Sequence, residues 1–301
     1  MNINFTKLKR PIMECQGNGF EAKSVYNPTV IVEGDTLYML YRAEAGGDGC
    51  TGRAGIAWSK DGINFTRHPE PVLYPEYDYE KRGCEDPRVV KFGDTYYMVY
   101  VANGDCPDGI HIAIASSKDL FQWEKHGLVK MKLKDWDNNQ VKAPVICPEK
   151  INGRYVMYFL GQKMAWHTAI GMAFSEDLIH WQEYEENPIV LPRYDNFDCL
   201  AVEPGATPVV ENNKILLIYN GWNENTVHKT GYLIFSKDNP AQVLARCDGP
   251  IIEPTEEWEI NGPARNVTFA EGIVKFNGKW LLYYGAADKC IGLAEGEVSL
   301  D

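Results

Sequence analysis

Hydrophobic positions in this chain alternate with a period of two, in short runs that recur five times at intervals of roughly sixty residues. Each copy pairs an aromatic run with a second run that ends in a turn. The pairs are TLYMLYRAE (36–44) with GRAGIAWSKDGINF, TYYMVYVAN (95–103) with HIAIASSKDLFQW, RYVMYFLGQ (154–162) with TAIGMAFSEDLIHW, KILLIYNGW (214–222) with TGYLIFSKDNP, and KWLLYYGAAD (279–288) with CIGLAEGEV. From Thr36 to Arg42 both faces of the alternation carry large apolar or aromatic side chains, the pattern of a strand covered on both sides. Strand units repeating at this period, with no helical periodicity, predict an all-β fold, a five-bladed β-propeller. The whole chain, 1–301, reads as one such domain. Its fifth repeat ends with only two or three strands, so residues around Phe5 to Cys15 are expected to supply the strand that closes the ring.

The second strand of each of the first four repeats runs into a polar turn: Ser59-Lys60-Asp61-Gly62, Ser117-Lys118-Asp119-Leu120, Ser175-Glu176-Asp177-Leu178 and Ser236-Lys237-Asp238-Asn239. Ser and Asp there can bond to nearby backbone N–H groups, and repetition points to a structural role, since a single site needs no multiple copies. Proline-flanked apolar strings, such as Pro71-Val72-Leu73-Tyr74 and Pro188-Ile189-Val190-Leu191-Pro192, read as connectors between blades.

Composition narrows the function. A net charge of −12 argues against a nucleic-acid partner, which requires a basic face. The N-terminal MNINFTKLKRPIMEC lacks the apolar core of a signal peptide, and no segment approaches eighteen uninterrupted apolar residues, so no membrane association and a cytoplasmic location are expected. The eight cysteines form no CxxC pair and the histidines do not cluster, so neither a metal nor another cofactor is expected.

Residues required for folding alone should recur in every copy, so chemistry is sought in what appears once. The single-copy polar residues at strand ends are Asn27, Arg42, Arg53, the Glu85-Asp86-Pro87-Arg88 cluster, Lys142, Glu203, Asn220, Trp222, His228, Asn266 and Asp288. Tyr41, Trp222 and Tyr284 offer apolar platforms, with Asn, Arg and Asp as directional hydrogen-bond partners for a ligand. The order and spacing of NPTV, YRA, EDPRVV, KAPVICPEKINGRYVM, a Gly-x-x-Pro strand, PARNVTFAEG and YYGAAD resemble glycoside hydrolase family 130, the five-bladed mannoside phosphorylases and mannosidases. The resemblance covers essentially the whole chain. It implies that Asp86 is the general acid and that Asn27, Arg42, Lys142 and Asp288 hold the sugar. The partner is then a small oligosaccharide, and the domain is catalytic, possible as a homo-oligomer. Glycosidic cleavage passes through an oxocarbenium-like transition state and needs a carboxylic acid to protonate the leaving oxygen. Glu85 beside Asp86, together with burial, is expected to favour the protonated form.

The attacking group divides the family. Its phosphorylases carry a His-Arg pair after the third inner strand and a Tyr-His-Gly motif, whereas this chain has Phe159 and Leu160 at the first place and Asn220 at the second. Loss of these phosphate ligands predicts an inverting β-mannosidase, acting on β-1,2-linked manno-oligosaccharides, in which a second carboxylate activates water. Glu203 is the candidate base, Glu259 the reserve, and Gln162 a partner for the water. A phosphorylase releasing mannose 1-phosphate is the alternative, with His228, His167 and Lys163 as basic residues able to reach the pocket. A propeller that binds without catalysis is the third reading.

Overall fold

The computed structural model describes residues 2–104, 110–132, 136–137, 140–164 and 167–301, the side chain of Lys163 excepted. Five antiparallel sheets are arranged as a five-bladed β-propeller. The first blade comprises Ser24–Glu33, Thr36–Glu44, Arg53–Ser59 and Thr66–Arg67, and the second Gly83–Phe92, Thr95–Asn103, His111–Ser117 and Glu124–Leu128. Val141–Ile146, Tyr155–Met164, His167–Ser175 and His180–Glu183 form the third, with Lys130–Met131 added in parallel at its outer edge. The fourth opens with a split inner strand, Ala201–Pro204 and Val209–Glu211, followed by Lys214–Trp222, His228–Ser236 and Val243–Arg246. The fifth contains Thr268–Phe276, Lys279–Ala286 and Cys290–Ser299, and its outer strand is Asn2–Lys7, paired antiparallel from Asn2↔Ser299 to Lys7↔Ala294. The chain thus closes its ring with its earliest residues, while Met13 makes only an isolated bridge to Ile291.

Aromatic and aliphatic side chains on both faces of the middle strands fill the spaces between adjacent blades. Tyr158 and Phe235, from the third and fourth blades, stack at 4.8 Å, and Phe92 and Tyr155 meet edge to face across the second and third. The Ser-Asp turns are local staples. Ser59 Oγ accepts from Gly62 N at 2.9 Å, and Asp61 Oδ1 accepts from the backbone N–H groups of Ile63 and Asn64 at 2.8 Å. The turns at Asp119 and Asp177 repeat this geometry.

Two further repeats are visible only in three dimensions. In four blades the second strand places a tyrosine whose hydroxyl donates to a buried carboxylate: Tyr41 to Glu21, Tyr100 to Glu80, Tyr219 to Asp198 and Tyr284 to Glu259. Each carboxylate is also held by a cation, respectively Arg67, Lys125, Arg193 with Arg246, and Lys7. The third blade has Phe159 at this register, packed on Trp136 with ring centroids 5.6 Å apart. Tyr41, Tyr219, Tyr284 and Phe159 each face a glycine, namely Gly55, Gly231, Gly292 and Gly171. A Cβ on Gly55 would lie 2.6 Å from the Tyr41 ring, so that ring as placed leaves no room for a side chain opposite it, whereas Tyr100 faces Ala113.

The second repeat is a β-bulge in the inner strand. Pairing steps from Tyr26↔Arg42 to Thr29↔Leu40, from Glu85↔Val101 to Arg88↔Val99, and from Lys142↔Leu160 to Val145↔Tyr158. The residue at each step precedes a proline and has positive φ: Asn27, Asp86 and Ala143, all at φ 50. Asn and Asp tolerate this left-handed conformation better than most residues, and a bulge re-aims a side chain that regular pairing would leave in the sheet. The bulge therefore presents Asn27 and Asp86 to the axis.

Candidate active site

One end of the axis opens into a cavity of about 560 Å³ walled by all five blades. Asp86, Asn27, Arg42, Lys142, Gln162, Glu203, Trp222, His228 and Asp288 line it, although up to 261 positions separate Asn27 from Asp288 in sequence. Asp86 Oδ1 accepts from Asn27 Nδ2 at 2.9 Å and from Arg42 Nη1 at 3.0 Å. Its Oδ2 has no protein partner among the described residues, so this is the oxygen that can carry a proton toward a ligand. Arg42 is itself fixed by Thr51 O at 2.7 Å, by Glu85 at 3.3 Å and by the face of the Tyr26 ring at 4.9 Å.

Glu203 comes from the split inner strand of the fourth blade and is 2% exposed. Lys142 Nζ stands 3.6 Å from its Oε2, with about a third of the lysine side chain open to solvent. Burial pushes the Glu203 carboxyl above the usual range, with Lys142 opposing, and the Glu203 carboxylate holds the Lys142 ammonium up in turn. Burial likewise raises Asp288 against the pull of Arg42. His228 is lowered to about 4 by burial. Its Nδ1 donates to Thr226 O at 2.9 Å, which leaves Nε2 as an acceptor, and its ring stacks on Trp222 at 4.8 Å.

Five of the single-copy polar residues stand outside the cavity wall. Arg53 pairs with Asp48 at 2.7 Å on the rim of the first blade. Glu85 turns from Asp86 toward Thr51 and Asn103, so the two neighbouring carboxylates do not share one face. Arg88 is buried behind Asp86. Asn220 is wholly consumed by backbone and Thr230, accepting from Ala270 N at 2.9 Å and donating to Ala270 O at 3.0 Å. Asn266 serves through its carbonyl, which accepts from His228 N, at a turn with φ 57. The reserve base, Glu259, is corrected to a structural role. It caps the helix Glu257–Ile260 and its side chain receives Tyr284 and Lys7, outside the cavity wall. Tyr41 and Tyr284 belong to the same buried tyrosine sets and offer no platform. His167 is exposed and absent from the wall, and Lys163 lies outside the described side chains.

Sequence reasoning missed Tyr26, Thr168, Arg265 and Phe269 in the wall. Tyr26 occupies the paired position just before the first bulge, the register that Lys142 and Glu203 hold in their own blades. A count of register within each repeat would have found it. It also missed Glu271, which is fully buried at the bulge of the fifth blade. Among the described residues no group of three or more His, Cys, Asp or Glu side chains is placed to hold a metal ion. No helix among the described residues is long and apolar enough to cross a membrane.

An axial cavity of this size, lined by carboxylates, cations and aromatic rings, defines a carbohydrate-active propeller enzyme. The chain belongs to glycoside hydrolase family 130, with residues 8–300 matching the family described as β-1,4-mannooligosaccharide phosphorylase. It is 36% identical to a 1,2-β-oligomannan phosphorylase of Thermoanaerobacter sp. strain X514, over 96% of each chain. Identity to a β-1,2-mannobiose phosphorylase of Listeria innocua is 31%, covering 81% of this chain and 66% of that protein. Among solved structures it resembles one reported with the finding that this family of mannoside phosphorylases contains glycoside hydrolases that target β-1,2 mannosidic linkages in Candida mannan. That likeness has a TM-score of 0.86 at 30% identity, covering 97% of this chain and 93% of the other. A glycosyl hydrolase from Bacteroides ovatus gives a TM-score of 0.85 at 29% identity, covering 98% and 93%.

Proposed function

We propose that this enzyme cleaves β-1,2-linked mannosides with inversion, using Asp86 as proton donor and water as the attacking group. Asp86 gives the proton on Oδ2 to the glycosidic oxygen as the bond to the anomeric carbon breaks. Glu203 takes a proton from a water that forms the new bond on the opposite face, so a β-mannoside yields α-mannose and both carboxyls exchange protonation states. Asn27, Arg42, Lys142 and Asp288 are assigned to sugar hydroxyls, and the Trp222–His228 stack to a ring face.

The observation that carries this reading is Glu203, a buried carboxylate in the cavity wall with Lys142 beside it. A phosphate about 4 Å from the ionised carboxylate would meet a repulsion on the order of 4 kcal/mol per unit charge at an effective dielectric of ~20. Neutral His228, together with Phe159 and Leu160, provides no compensating donors. Phosphorolysis is the second reading. It is favoured by the names of the relatives from Thermoanaerobacter and Listeria, and Lys142 and Arg265 in the wall are the cations it would use.

The test is incubation with β-1,2-mannobiose with and without phosphate. Hydrolysis gives mannose at a rate indifferent to phosphate, with the α-anomer formed first by NMR, and Glu203→Gln abolishes it. Phosphorolysis gives α-mannose 1-phosphate in proportion to phosphate, and Glu203→Gln, which removes the repelling charge, leaves it intact or faster. The second pattern overturns the water assignment.

A further inference from the structure

Behind Asp86 the axis is closed by a buried pair that never reaches the cavity. Arg88, from the second blade, donates through Nε to Gly205 O of the fourth at 2.6 Å and through Nη2 to Glu271 of the fifth. In a ring of five these blades are not neighbours of the second, so the pair spans the axis. Glu271 Oε1 also accepts from Asn27 Nδ2 at 3.0 Å, and the same nitrogen donates to Asp86 Oδ1 at 2.9 Å. Both partners of that nitrogen are carboxylate oxygens, which fixes the amide: rotated by half a turn, it would set its own oxygen against two others. Glu271 Oε2 is buried without a partner, a cost that an apolar side chain filling the same space would avoid. An apolar residue could not orient Asn27.

We infer that Glu271 is a positioning residue for proton transfer. By accepting one hydrogen of the Asn27 amide it directs the other to Asp86 Oδ1, and so holds Asp86 with Oδ2 free to protonate the leaving oxygen. The inference rests on Asp86 being the donor, and it holds whether water or phosphate attacks. Burial keeps the Glu271 carboxyl well above the usual range, which is consistent with an acceptor that is not competing as a second anion for the sugar.

The experiment compares Glu271→Gln, Glu271→Asp and Asp86→Asn on β-1,2-mannobiose and on an aryl β-mannoside with a good leaving group. A misaligned donor slows the disaccharide and spares the activated substrate. Glu271→Asp, which withdraws the oxygen from Asn27, should therefore lose about 10- to 100-fold in kcat on mannobiose, with KM changed less than about threefold, and lose much less on the aryl substrate. Glu271→Gln keeps an oxygen that can accept from Asn27 and Arg88, so it should stay within about threefold of the wild type and shows that the loss in Glu271→Asp follows the position of that oxygen. Equal losses of Glu271→Asp on both substrates, its full kcat on mannobiose, or a Glu271→Gln enzyme as slow as Glu271→Asp, overturn the positioning role while Asp86→Asn still discriminates between the substrates. If Asp86→Asn itself harms both substrates equally, the donor assignment fails first.

Discussion

His228 sits in the cavity wall as a neutral ring, with burial lowering it to about 4 from the ordinary 6.5 and nearby Lys142 acting in the same direction. Between those values the unfolded chain binds a proton that the folded chain refuses. Its contribution is thus complete above about pH 6.5 and is lost as the pH falls toward 4. Replacing His228 with Asn should flatten the fall in the urea midpoint measured between pH 7 and 4.5. An unchanged slope would show that the ring is not held neutral. The Nδ1 bond to Thr226 O leaves His228 Nε2 as an acceptor in the cavity wall, where a hydroxyl is a suitable partner for it.

At the level of elements, the tyrosine–carboxylate sets explain why one acidic residue looked catalytic in the sequence and is not. Glu21, Glu80, Asp198 and Glu259 do equivalent work, but the first two lie in short 3-10 turns, the third in a loop and the fourth on a helix. Aligned repeats therefore do not superpose them. Glu259, the reserve base, therefore had no counterpart in the aligned repeats to mark it as structural. Glu259→Gln should cost about 1–3 kcal/mol of stability by weakening contacts to Lys7, Tyr284 and the helix start, with kcat unchanged. A differential scanning calorimetry trace with unaltered Tm would contradict the assignment. The bulges were legible in part. The Asn-Pro and Asp-Pro dipeptides are visible at 27–28 and 86–87, and motif order drew attention to both. The apolar and aromatic runs predicted the middle strands because both faces of those strands are buried. What could not be read was which carboxylate meets which cation, since contacts such as Arg88 to Glu271 join blades with no fixed offset in sequence. Asn220 failed for the same reason: its partners, Ala270 and Thr230, come from other strands and use up its amide.

Over the whole molecule, the cavity depends on a closed ring, because every blade contributes to its wall. Deleting residues 2–7 would strip the outer strand from the fifth blade, expose the edge of Cys290–Ser299 and remove Lys7 from Glu259. The shortened protein should lose activity together with its cooperative unfolding transition, and self-associate through the bared edge in size-exclusion chromatography. A monomer retaining full turnover would show that closure is dispensable.

That same seam imposes an order in time. Asn2–Lys7 leaves the ribosome before the rest of the propeller, yet its partner strand is Cys290–Ser299, so it must wait unpaired while the five blades are translated. Four blades can form their hydrogen bonds as they emerge, but the fifth is completed only when the earliest and latest segments meet. Folding to an active protein therefore ends in one long-range zipping event, and a nascent chain stalled before that point holds most of its architecture and none of its finished cavity.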